Sequence, residues 1–388
     1  MLRPRSTYLP FGRPNFTEKE IEAVVRVIRS GWIGMGPETI AFEDELARAV
    51  GASQVVTVNS CTSAIFLSLL SHKIGSGDEV ICPSLTWCST ANAALYLGAR
   101  PVFCDVDPAT YCITPETVRA VLSPRTKAVI VVHFGGRAAE VAPLRTVLPP
   151  DVAIIEDAAH AFGATFANRQ PVGSSGNLTC FSFYANKNLA TGEGGAIALN
   201  DATIAGRLRS LRQHGLPLDA WKRFIHPNTV LLSNQLTGLG YKMNYTDLQA
   251  ALGRVQLQRQ PEFAKRRLAI AREYQRCLRG LRPNPLFQSG STNLRHARHL
   301  FTIQLPFESL ALSREELLLG LRARNIGATI HYTPLHTMPL YCGRKRNLRL
   351  PVTERIARSI LTLPISGSMT VDDAAEVAAH VREILQRA

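Results

Sequence analysis

Val55-Val-Thr-Val58 runs directly into Asn59-Ser-Cys-Thr-Ser63-Ala64 and then into an apolar helical stretch that ends at His72. A short β-branched run, a turn of small polar residues and a helix make one strand–turn–helix unit. Two helices precede it, and further strand and helix segments follow. Upstream, Glu18 to Ser30 reads as an amphipathic helix, with Thr17 as N-cap, Glu18 and Glu20 in an acidic first turn and Gly31 as the stop. Pro37 to Val50 is a second helix, closed by Gly51. Downstream, strands are expected over 80–82, 101–105, 128–132, 152–156 and 178–184, with helices over 89–97 and 115–122. Short apolar strands alternating with helices predict an α/β fold with a mainly parallel sheet covered on both faces. Ligands in such sheets collect at the carboxyl ends of the strands.

The texture changes past Tyr245. A long helical pattern rich in Gln, Arg and Ala runs from Thr246 to Leu281, where Pro261 should kink or break it. Then follow an expected strand over 300–305, a helix over 314–325, a strand over 328–332, and helices over 353–359 and 371–386. The expectation is a large α/β domain over residues 1–250 and a smaller α+β domain over 251–388.

The 388 residues include 46% hydrophobic and 19% charged residues, ordinary for a soluble enzyme. No window approaches the ~18 apolar residues of a membrane span, and the basic N-terminus has no apolar segment behind it. The eight cysteines form no Cys-x-x-Cys pair, which suits reduced thiols and a cytoplasmic location. The net charge of +14 raises nucleic-acid binding. However, the 44 Lys and Arg are spread along the chain without a basic block or zinc-finger spacing. A multiply anionic small substrate, such as a nucleotide diphosphate, is another use for that charge.

Four segments carry candidate chemistry. Lys187, in Ser182-Phe-Tyr-Ala-Asn-Lys187-Asn-Leu-Ala-Thr-Gly-Glu193-Gly-Gly195, stands just past an apolar strand and before glycine-rich backbone. An isolated lysine there reads as a loop residue. Desolvated in a pocket, it would lose its proton and form a Schiff base with a carbonyl such as that of pyridoxal phosphate (PLP). Asp157 ends the strand Ala153-Ile-Ile-Glu156. It reads equally as a helix N-cap or as the partner of a protonated pyridine nitrogen. His160 is either a contact to the cofactor's ring hydroxyl or a satisfied core histidine. Thr62 and Ser63, with Ser182, would suit a phosphate at a helix N-terminus, although Ser and Thr cap many helices. Trp87 would stack on a flat ring, or is a core tryptophan.

These features occur in the order and spacing of a known family. The sequence resembles the DegT/DnrJ/EryC1/StrS family of PLP-dependent sugar aminotransferases, fold type I. The resemblance covers Pro10–Pro14, Ser30–Pro37, Phe42-Glu43, Gly77–Val80, Val132–Gly135, Glu156–His160, the Lys187 segment, Gly240–Ala251 and Leu363-Pro364. It implies a mainly parallel seven-stranded sheet and a homodimer with shared active sites. It also implies transfer of an amino group from L-glutamate to a keto sugar. Lys187 matches the lysine bonded to the cofactor, Asp157 the pyridine partner, His160 the residue near the ring hydroxyl and Trp87 the stacking residue. Thr62, Ser63 and Ser182 match phosphate ligands, and Asn244 an asparagine that reaches the phosphate from the neighbouring subunit. His331 and His336 match a segment bordering the sugar.

Ser84-Leu-Thr-Trp87, His160 and Tyr241-Lys-Met-Asn244 are most similar to the branch that aminates a UDP-linked 4-keto pentose in lipid A modification. Asn186 and Thr191-Gly192 depart from that branch. Other 4-keto hexoses, 3-keto sugars and a keto-octulosonate are alternative substrates. The related sugar dehydratases carry histidine where Lys187 stands, and an NAD enzyme would need a Gly-x-Gly-x-x-Gly turn that is missing here. A non-catalytic regulator keeping the fold is the remaining rival.

Overall fold

The computed structural model describes residues 2–217, 221, 225, 236, 238–293, 295–342 and 348–387. Helix α1 (Glu18–Ser30) opens with the Thr17 N–H donating to Glu20 Oε2 at 2.9 Å, and Gly31 at φ 75° ends it. Helix α2 (Pro37–Val50) has proline in its first turn, where no N–H is needed, and Gly51 at φ 68° as its stop. A seven-stranded sheet follows. Its strands are β1 (Gln54–Val58), β2 (Glu79–Pro83), β3 (Arg100–Cys104), β4 (Thr126–Val132), β5 (Ala153–Asp157), β6 (Leu178–Ser182) and β7 (Gly195–Leu199). They lie in the order β1-β7-β6-β5-β4-β2-β3. Every neighbouring pair is parallel except those made by β7, which runs antiparallel to β1 and β6.

The sheet is buried on both faces. Val129 and Val131 of β4 join Phe42, Leu46 and Val50 of α2 in one cluster. Ala128 and Ile130 point the other way, towards Ala64, Ile65 and Leu67 of α3 (Cys61–Ser71) and Ala91 and Ala94 of α4 (Cys88–Tyr96). This two-residue alternation explains the continuous apolar strands. Helices α5 (Pro115–Arg119) and α6 (Ala202–Leu211) also belong to this half of the chain.

The long helical pattern is two helices, α7 (Asp247–Gln258) and α8 (Gln260–Leu278), with the break at Arg259 and Pro261 in the first turn of α8. A three-stranded antiparallel sheet, in the order β10-β9-β8, packs on α8. It is built from β8 (Leu286–Phe287), β9 (Phe301–Gln304) and β10 (Ile360–Leu363). Ile270, Tyr274, Phe301, Ile303, Leu361 and Val377 share its core. The strand expected over 328–332 does not form: Thr329 makes a single bridge to Thr362, and the backbone then turns away towards the larger sheet. All eight cysteines are free. No helix among the described residues is long and apolar enough to cross a membrane.

Candidate active site

The carboxyl ends of β4, β5 and β6 open into a cavity of about 490 Å³. Its walls include Val132, Asp157 and Ser182 from the strand ends, and Ser60, Cys61 and Thr62 from the start of α3. The connection from β6 to β7 forms another wall. It is pinned by Phe183 N–H to Gly194 O and Thr191 N–H to Phe183 O, both 2.8 Å, and it carries Lys187. Gly195 is a steric necessity here. A Cβ on it would lie 2.6 Å from Cys61 N and Ser60 C, so only glycine lets β7 pass beneath the α3 turn.

Asp157 is buried at the end of β5. Its Oδ2 accepts the Thr90 hydroxyl at 2.8 Å and its Oδ1 accepts the Ala159 N–H at 3.1 Å. The residues after it turn without making a helix, so the carboxylate is not an N-cap. Burial pushes its pKa up, against the Thr90 and Ala159 hydrogen bonds and the Lys187 charge. Burial also brings the Lys187 amine down to about 8, although Cys61 and Asp157 favour its charged form. At neutral to mildly alkaline pH the cavity therefore holds an amine close to its titration point, as a general base or nucleophile requires.

His160 Nδ1 accepts the Gly135 N–H at 3.3 Å, which leaves Nε2 to donate to the Tyr332 hydroxyl at 3.1 Å. Trp87 is no core residue. It is 61% exposed, precedes α4 and leans over the cavity with Tyr332, their rings 6.1 Å apart. His331 lines the same cavity and pairs with Thr362 Oγ1 at 2.9 Å.

Three of the expected site residues do not line this cavity. Ser63 donates its hydroxyl to Asn59 Oδ1 at 2.6 Å, back into the β1–α3 turn. His336 pairs with Ser84 Oγ at 2.7 Å and borders a second cavity, of about 590 Å³, with Arg314, Arg349 and Arg358. Asn244 is half-buried, and its amide lies 3.5 Å from the Tyr245 carbonyl. The structure adds residues that sequence reasoning did not single out. Thr90 holds Asp157, Tyr332 holds His160, and His299 lies 3.5 Å from Lys187 Nζ. Thr90 and Tyr332 stood inside stretches already of interest, whereas nothing local marked His299.

A buried acid, an amine across from it, a helix N-terminus with hydroxyls and an aromatic ring at the mouth form a set that fits a phosphorylated pyridine aldehyde. The model of the DegT/DnrJ/EryC1/StrS aminotransferase family matches residues 14–382. The chain belongs to that family. It is 40% identical over 392 residues to the spore coat polysaccharide biosynthesis protein SpsC of Bacillus subtilis (strain 168), covering all of both chains. Among solved structures it resembles the aminotransferase TlmJ from Streptoalloteichus hindustanus at a TM-score of 0.88 and 33% identity, over 98% of this chain and 99% of that one. It resembles DesI, crystallised with its TDP-sugar product, at a TM-score of 0.87 and 29% identity, over 100% and 95%. The protein is an aminotransferase, and the family works with PLP.

Proposed function

We propose that this chain transfers an amino group from L-glutamate to a nucleotide-linked 4-keto sugar, giving an amino sugar and 2-oxoglutarate. The observation that carries the proposal is Lys187. Its amine, brought to about 8 by burial, shares one cavity with the buried Asp157, the α3 turn and Trp87. The polysaccharide role of SpsC and the TDP-sugar product of DesI support a sugar nucleotide as substrate.

PLP, when bound, supplies the electron sink that makes hydrogen on an amine-bearing carbon acidic. The chain's residues do the rest. Asp157 would hold the ring nitrogen in its protonated form. Thr62, Ser182 and the N–H groups opening α3 would take the phosphate. Trp87 would cover the ring, and His160, its Nδ1 held by the Gly135 N–H, would donate from Nε2 to the ring oxygen. Lys187 would anchor the cofactor and, once freed, carry the proton between the reacting carbon and its neighbour. His331 would border the sugar. Asn244, which does not line its own cavity, is proposed to reach the phosphate site of a second copy in a homodimer, with Ser63 shaping the turn behind Thr62.

Purified protein should be yellow, bleach on addition of L-glutamate and regain colour with a 4-keto nucleotide sugar. Recovery with a 3-keto sugar or a keto-octulosonate alone would move the substrate assignment within the family. Turnover by Lys187→Ala would sink the mechanism.

A further inference from the structure

His299 stands just before β9, 112 positions from Lys187 in sequence, and is 4% exposed. Its Nε2 lies 3.5 Å from Lys187 Nζ, and its ring stacks obliquely on His160 with centroids 4.5 Å apart. The other ring nitrogen, Nδ1, is buried and has no hydrogen-bond partner. That orphan sets His299 apart from its neighbours. In His160 a backbone N–H occupies Nδ1, so the proton is fixed on Nε2. In His133 the Ala139 N–H does the same, and Nε2 donates to Glu156 at 2.9 Å. In His299 no backbone N–H occupies Nδ1, so that nitrogen is free to carry the proton and leave Nε2 as an acceptor.

Charge is excluded from that ring. Burial comes first, followed by the charge of Lys187, with His160, Arg267 and His331 also opposing, and together they hold His299 well below the ordinary imidazole range. Arg267 is itself 3% exposed and donates to the carbonyls of Arg298 and Ile365 at 3.2 and 3.3 Å. The imidazole is therefore neutral.

We infer that His299 is the positioning residue of the Lys187 amine: with its proton on Nδ1, Nε2 accepts an N–H from the amine, most strongly when the amine is charged. The inference rests on the transamination reading. A lysine freed from its cofactor must hold one place while its proton count changes. A neutral acceptor does this without adding charge to a dry cavity, since the amine keeps N–H groups to donate in either state. The other titratable groups facing the amine are Cys61 from α3, Asp157 from β5, and His160 and His331. Glu193, Tyr184 and Tyr332 also line the cavity.

The test is acylation of Lys187 in the full-length chain stripped of cofactor, followed by peptide mass spectrometry across pH. The wild-type midpoint should fall near 8. In His299→Phe it should drop by about one pH unit, because the charged amine loses its acceptor. In the loaded enzyme kcat should fall about tenfold with the KM for keto sugar unchanged. His299→Gln, whose amide reaches the Nε2 position, should restore most of both. If the Phe variant does not fold, His299→Asn, too short to reach Nζ, must show the same drop. An unchanged midpoint in a folded Phe or Asn variant overturns the inference, whatever kcat does. A chain that never takes up PLP refutes the transamination reading and leaves the labelling result standing.

Discussion

Asp157→Asn should separate activity from stability. The substitution keeps shape and removes charge. Asn can still accept the Ala159 N–H. Thr90 can turn its hydroxyl to accept from the new amide and donate to Thr86 Oγ1, 3.0 Å away. The local hydrogen bonds therefore survive. What disappears is the anion that would hold a ring nitrogen protonated, and losing one partner of a buried charge pair costs about 3–5 kcal/mol. At about 1.4 kcal/mol per tenfold, turnover should fall roughly a hundred- to several-thousand-fold. Stability should move the other way. Burial raises the Asp157 pKa in the folded chain. Its stabilising contribution is therefore complete below the unfolded value of about 3.9 and is lost as pH rises through the folded one. Without cofactor, the Asn variant should melt at or above the wild-type temperature at pH 8, and its advantage should shrink as pH falls towards the unfolded value of about 3.9. The assay pairs calorimetry of the cofactor-free proteins with 2-oxoglutarate release by the loaded ones. An Asn variant with wild-type kcat, or one less stable relative to wild type at pH 8 than at about pH 4, would refute the assignment of this carboxylate.

Two further outcomes follow from the structure. Burial alone would raise Glu79, but Arg100, Ser123 and Arg125 outweigh it and bring its carboxyl to about 2. Its stabilising contribution is therefore present above the unfolded value near 4.3 and lost as pH falls towards 2. Because both arginines are more than half exposed, Glu79→Gln should cost only about 1 kcal/mol at pH 7 and nothing near pH 2, read by urea unfolding. Trp87→Ala should weaken PLP binding about tenfold in a fluorescence titration, since ring stacking contributes about 0.5–1.5 kcal/mol beyond burial. With the indole 61% exposed, the melting temperature should barely move.

Much of this arrangement was legible in the chain because it is local. Thr17 and Glu20, Gly31, and Pro37 with Gly51 mark α1 and α2 by chemistry within a few residues of each end. Lys187, Asp157, Thr62, Ser182 and Trp87 all sit at the carboxyl edge of the sheet, where the alternating pattern of strands and helices puts them. What depends on distant partners was not legible. Strand β10 exists through its pairing with β9, and the 328–332 segment that resembles a strand finds only one bridge. The fragment Gly195–Leu199 is short and glycine-led, and its antiparallel course is set by β1 and β6 on either side. His299 gains its significance only when the segment before β9 meets Lys187, 112 positions away in sequence. Trp87 shows the converse: composition favours a buried tryptophan, and the turn before α4 holds it out over the cavity.

The central claim is that Lys187 anchors PLP covalently. Reduction of the loaded protein with borohydride, followed by proteolysis and peptide mass spectrometry, tests it most directly. The account predicts a pyridoxyl phosphate adduct on the peptide carrying Lys187, lost in Lys187→Ala. An adduct on another lysine, or none from protein that carries the cofactor, would contradict it.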